Sequence, residues 1–190
     1  MKKERINFIN IGFEEHTLFE WKPPQSFKPT ALDLHIVREN DAKDIFFHLN
    51  KGVMKIVYIR KGILLYTIGS DQDVQFQLLE ALLEDIDLKF NEMYAVDVIL
   101  SYGNVTETVF KEFTSKVNEI IENAEDLIKP VEVFCRVCKK TLPIHVKKSL
   151  IKIATSYPVP VVYVHAGHAV VVYVDQNFVV RGAELVTITG

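Results

Sequence analysis

The chain reads as an α/β protein of the α+β kind: a mixed or antiparallel sheet carrying amphipathic helices, then a small β-α-β-β-β unit. Three observations predict this. Apolar, β-branched runs come in pairs joined by short turns, as in VMKIVYIR-KG-ILLYTI. Two later stretches change to helical period. After Lys129-Pro130 the strand pattern restarts and carries both cysteines of the chain.

Taken in order, Ile6 to Phe13 and Thr17 to Trp21 are apolar and β-prone, and the EEH between them suits a hairpin. KPPQSFKPT holds three prolines, each without an amide donor, and breaks any regular element. Ala31 to Val37 fits either helix or strand. Asp44 to Leu49 is a short aromatic strand, with Phe46 and Phe47 as core. Val53 to Arg60 and Ile63 to Ile68 form a hairpin about Lys61-Gly62.

Ser70-Asp71-Gln72-Asp73 resembles a capping box for the helix in which Leu78, Leu79, Leu82, Ile86 and Phe90 share one face. Val96 to Leu100 reads as extended or irregular. Thr106 is placed to cap a second helix whose stripe is Val109, Phe110, Phe113, Val117, Ile120, Ile121 and Ala124. The boundary at Lys129-Pro130 divides the chain into domains 1–128 and 129–190. In the second, Val131 to Phe134 is a strand, Val146 to Thr155 a helix, and Val159 to Val164, Ala169 to Val174 and Phe178 to Arg181 a meander. Its two-residue turns fall at Ala166-Gly167 and Gln176-Asn177. Leu185 to Thr189 suits a last strand.

The stretches MKIVYIRKGILLYTIGSD, QLLEALLEDIDLKF and VDVILSYGNVTETVFKEF, with NDAKDIFF ahead of them, resemble the longin-like (SNARE-like) domains of small adaptin subunits, the signal-recognition-particle receptor and vesicle-tethering subunits. The first hairpin, INFINIGFEEHTLFEW, matches that fold's two starting strands. The family has a helix next, where this chain has KPPQSFKPTALDL, and it has nothing like the CxxC unit. The resemblance implies a non-enzymatic, trafficking-type module that docks a small GTPase, an assembly partner or another copy of a similar fold. It carries no catalytic residues.

A net charge of −3, with no long Lys/Arg cluster, gives no bulk pull toward nucleic acid. The most apolar stretch, Val159 to Val174, is too short and too polar to span a membrane. The start, MKKERINFINIGF, lacks the apolar run of a signal peptide, and two cysteines at CxxC spacing suit a reducing, cytoplasmic compartment.

The chemistry concentrates in FCRVCKKTLPIH and VHAGH. Zinc takes four thiolate or imidazole donors in a tetrahedron. A CxxC at a strand end presents Cys135 and Cys138 to one ion, while His165 and His168 flank a two-residue turn as cross-strand neighbours. Together they form a Cys2His2 set for a structural zinc, with His145 as a substitute ligand. The same cysteines support a second reading, a thiol–disulfide oxidoreductase, because strand, CxxC and helix is the order of a thioredoxin-like site. A third treats them as plain buried thiols. His16, His35 and His48 read as isolated, Asp175 as a turn former, and Arg181 as solvated. No nucleotide-binding or hydrolase motif is present, so no catalytic residue is assigned.

Overall fold

The alternating runs near the N-terminus pair as hairpins. The computed structural model of the chain describes residues 5–14, 16–24, 42–101 and 107–186. It divides into two compact units, Met1–Ala124 and Glu125–Gly190. In the first, β1 (Ile6–Phe13), β2 (His16–Trp21), β3 (Phe46–Lys51), β4 (Met54–Lys61) and β5 (Leu64–Asp71) form one antiparallel sheet in the order β2-β1-β5-β4-β3. The β4–β5 turn uses Gly62 at φ 57°, a backbone conformation that costs glycine nothing.

Helix α1 (Phe76–Met93) buries the expected face, with Leu79, Leu82, Leu83, Ile86 and Phe90 fully covered. Each such side chain contributes roughly 1.5–3 kcal/mol. Helix α2 (Val96–Ser101) follows, then a 3-10 turn, Glu107–Phe110, leading into α3 (Lys111–Glu122). Phe113 joins three elements: its ring meets Phe90 of α1 at 5.1 Å and Phe19 of β2 at 5.0 Å, both edge-to-face.

Several expectations in this unit change. Helix α1 starts at Phe76 after Gln75, with no side-chain cap, because Ser70 and Asp71 remain in β5, paired to Ile6 and Met54. Ladder bonds on both sides of β5 outcompete the capping box. Val96 to Leu100 is helical, not extended, and none of its side chains is buried. Val109 is exposed, whereas the rest of its stripe is buried. Ala31 to Val37, His35 and Thr106 lie outside the described residues.

The second unit contains β6 (Ile128–Cys135), β7 (Lys140–Lys147), α4 (Lys148–Ile153), β8 (Val159–His165), β9 (His168–Val174) and β10 (Val180–Val186). Strands β6 and β7 form a two-stranded sheet, and β10-β9-β8 a three-stranded one. Its order is thus β-β-α-β-β-β, and β7 is the added strand. Pro143 sits within β7 opposite Glu132. A proline cannot donate to a ladder, which explains why this stretch does not read as a strand. Lys129 and Pro130 lie inside β6. The last meander strand is longer and later than Phe178 to Arg181, and Asp175 to Val179 forms a wider turn than Gln176-Asn177 alone. A core of valines, including Val133, Val161, Val172 and Val174, together with Ile144 and Cys135, joins the two sheets of this unit.

Candidate metal centre

Two turns converge at the edge of this core. Strand β6 alternates buried and exposed residues as far as Cys135, which points inward and is 1% exposed. The chain then turns through Arg136 to Lys139, with Lys139 at φ 53°, and returns as β7. This turn wraps the Cys135 sulfur, which accepts hydrogen bonds from the backbone N–H groups of Cys138 and Val137. Cys138, three residues on, is half-buried.

The β8–β9 hairpin supplies the other half. Ala166 and Gly167 both take positive φ, 45° and 81°, as a tight two-residue turn requires. That turn makes His165 and His168 direct cross-strand partners, with ring centroids 4.1 Å apart. Across the unit, His168 Nε2 stands 3.1 Å from Cys135 Sγ.

One ligand atom from each of Cys135, Cys138, His165 and His168 falls within 4.8 Å of all the others. Metal–sulfur and metal–nitrogen bonds of zinc type, at tetrahedral angles, place donors about 3.3–3.8 Å apart. The group can therefore hold a metal ion with sub-ångström to ångström adjustments.

Three details fit an ion. His168 Nδ1 donates to the Ala166 carbonyl at 3.2 Å, and because a carbonyl only accepts, Nε2 is left with its lone pair toward Cys135. Such an outer hydrogen bond is how ligating imidazoles are commonly oriented. His165 keeps a buried Nε2 with no hydrogen-bond partner. Leaving such an atom unsatisfied costs about 1–3 kcal/mol, and an ion bound within the group would be its partner. The Cys135 thiol is held well below its ordinary value, at about 6, by the Cys138 N–H first and then by His168, His165 and the Val137 N–H, against the opposing effect of burial. Metals bind the thiolate, so this environment prepares the ligand.

The sequence-predicted residues thus come together as a set of four. His145 does not join them: it lies on β7 opposite Pro130, half-buried, with burial lowering its pKa. His48 pairs with Glu80 at 2.8 Å and stacks on Phe76, and His16 is exposed at the start of β2. Arg181 is not simply solvated but binds Asp175 at 2.8 Å. Asp175 is the turn former expected, accepting from the N–H groups of Asn177 and Val179. The Ala166 carbonyl was invisible to residue-type reasoning, since any residue supplies a carbonyl; only the positive-φ turn could have hinted at it. The CxxC does not open a helix, because β7 intervenes before α4.

No helix among the described residues is long and apolar enough to cross a membrane. Comparison with models of known protein families and with curated proteins finds no match.

Proposed function

We propose that this protein is a non-enzymatic interaction module whose second unit is stapled by a structural zinc ion. The observation that carries the reading is the closed donor set. Cys135 and Cys138 as thiolates and His165 and His168 as imidazoles, with one donor atom each inside 4.8 Å, would fill all four tetrahedral positions of a bound ion. No position remains for a reactive water, which separates structural from catalytic zinc sites. Two soft sulfurs and two imidazoles favour zinc over hard oxygen-seeking cations. The ion would join the β6–β7 turn to the β8–β9 turn, a cross-link that suits so small a unit.

Docking is the role proposed for the first unit. Its element order is a hairpin, a three-strand meander, the long helix α1, the short helix α2 and the helix α3, and this supports the longin-like reading. The edge strands β2 and β3 then offer contact surfaces to a small GTPase, a trafficking or assembly partner, or a second copy in the cytoplasm.

Elemental mass spectrometry of purified, untagged protein tests the zinc. About one zinc per chain is expected, lost in Cys135→Ser and in His168→Ala. Metal-free wild-type protein, or full zinc in both variants, overturns it. The lowered Cys135 thiol within a CxxC favours a second reading, a thiol–disulfide oxidoreductase. Reversible cycling of a Cys135–Cys138 disulfide in metal-free protein, with turnover of a disulfide substrate, selects that reading instead.

A further inference from the structure

Next to the candidate metal centre, with Cys135 common to both, the second unit has a cavity of about 290 Å³. Phe134, Cys135 and Arg136 line it from the end of β6, Ala183, Glu184 and Leu185 from β10, and Val170 from β9. Its volume is at the small end of ligand pockets, which run from roughly 300 to 1,000 Å³, and suits one bulky side chain. Phe134 and Leu185, at its two walls, are 58% and 47% exposed, and Val137 on the adjoining turn is 54% exposed. Large apolar groups left in water around a cavity mark a contact surface.

The cavity lining carries one cation, Arg136, and one anion, Glu184, whereas the adjoining turn and the start of β7 carry only cations. Arg136 and Lys139 on the turn and Lys140 at the start of β7 are exposed, and none makes an ion pair among the described residues. A zinc ion with two thiolates and two neutral imidazoles is formally neutral, so it would leave these three cations uncancelled. Glu184 is the one acidic group lining the cavity, and it accepts the Tyr173 hydroxyl at 3.3 Å.

We propose that this turn and cavity form a docking site for an acidic, extended protein segment that carries one bulky apolar residue. The apolar side chain occupies the cavity between Phe134 and Leu185, while flanking carboxylates meet Arg136, Lys139 and Lys140. A single cavity matched to one side chain favours a peptide over a phosphate backbone or a membrane surface, neither of which requires it. Opposite charge then speeds encounter and selects the partner. The inference rests on the interaction-module reading and assigns it a partner chemistry.

A displayed library of random twelve-residue peptides, selected on full-length zinc-loaded protein, tests the site. Enriched peptides are expected to be net acidic about one aromatic or aliphatic residue. Their affinity should fall about tenfold or more in the combined Arg136→Glu, Lys139→Glu, Lys140→Glu variant, and again when salt is raised. Since Arg136 lies between the two cysteines, retained zinc confirms that this variant is folded. Leu185→Asp, on β10, tests the cavity independently and should weaken the same peptides. Peptides without acidic bias, no enrichment at all, or preferential binding of single-stranded RNA or of phosphatidylserine vesicles would overturn the proposal. Peptides insensitive to both variants would also overturn this site, yet leave the module reading standing, because they bind elsewhere on the chain.

Discussion

Gly69 of β5 lies under the ring of Phe8 on β1, and a Cβ there would stand 1.9 Å from a ring carbon. Phe8 is 2% exposed and cannot swing away into water. Gly69→Ala should therefore cost about 1–3 kcal/mol as an overpacking change, seen as a lower urea midpoint with the slope unchanged. Adding Phe8→Leu should recover part of that loss, the coupling expected of touching residues. Asp175 gives a residue-scale prediction that depends on pH. Its carboxyl is held below its ordinary value by the Val179 N–H first, then by Arg181 and the Asn177 N–H. On acidification the unfolded chain takes up this proton before the folded one does. The stabilisation is therefore complete above about pH 4 and is lost as pH falls through the folded value. The stability gap between wild type and Asp175→Asn should be flat from about pH 5 to 8 and close below about pH 4, as read from urea midpoints across pH. A gap that widens in acid contradicts this assignment.

At the scale of elements, the β8–β9 turn couples backbone geometry to ligand geometry. Ala166 holds φ 45° and Gly167 φ 81°. For a residue with a side chain the left-handed region costs roughly 1–2 kcal/mol. Ala166→Gly should thus keep zinc and slightly raise thermal stability, whereas Gly167→Val should splay His165 from His168 and lower zinc affinity in a chelator competition. Equal zinc affinity in Gly167→Val would show that the turn does not position the histidines. This turn was legible in the sequence because glycine within an apolar alternation has few other uses, and the same logic grouped the four residues that the fold brings together: CxxC and HxxH are short-range patterns set by turn chemistry. The elements that escaped were decided by neighbours. Strand β7 carries Pro143, which local propensity rejects, yet its register with β6 buries Ile144 and Val146. The capping pattern at Ser70 to Asp73 was overridden by pairing of β5 with both β1 and β4. Helix α2 has no fully buried side chain and spans only six residues, too short for an apolar stripe to announce it. Periodicity reports burial, and where burial is absent, or is imposed by a distant strand, the pattern loses its meaning.

For the whole molecule, the distribution of the candidate metal donors predicts unequal stability of the two units. All four donors belong to Glu125–Gly190, whereas the aromatic contacts of Phe19, Phe90 and Phe113 belong to Met1–Ala124. A ligand that binds only the folded state stabilises the unit that holds it, and a structural zinc in a small fold can supply about 10 kcal/mol or more of apparent binding free energy. Trp21, the single tryptophan, provides a natural separation of signals. It is 3% exposed, and its indole N–H donates to Asn118 Oδ1 at 3.1 Å, both within the first unit. Its fluorescence therefore reports the unfolding of that unit, while far-ultraviolet circular dichroism reports both. Zinc chelation should lower the melting of part of the dichroism signal, by tens of degrees or to complete loss at ambient temperature, and leave the Trp21 transition in place. Added zinc should restore the first signal, and Cys138→Ser should reproduce the chelated protein without chelator. A Trp21 transition that falls together with the dichroism would mean that the two units unfold as one, and an unchanged dichroism would mean that the valine core holds the second unit without the ion.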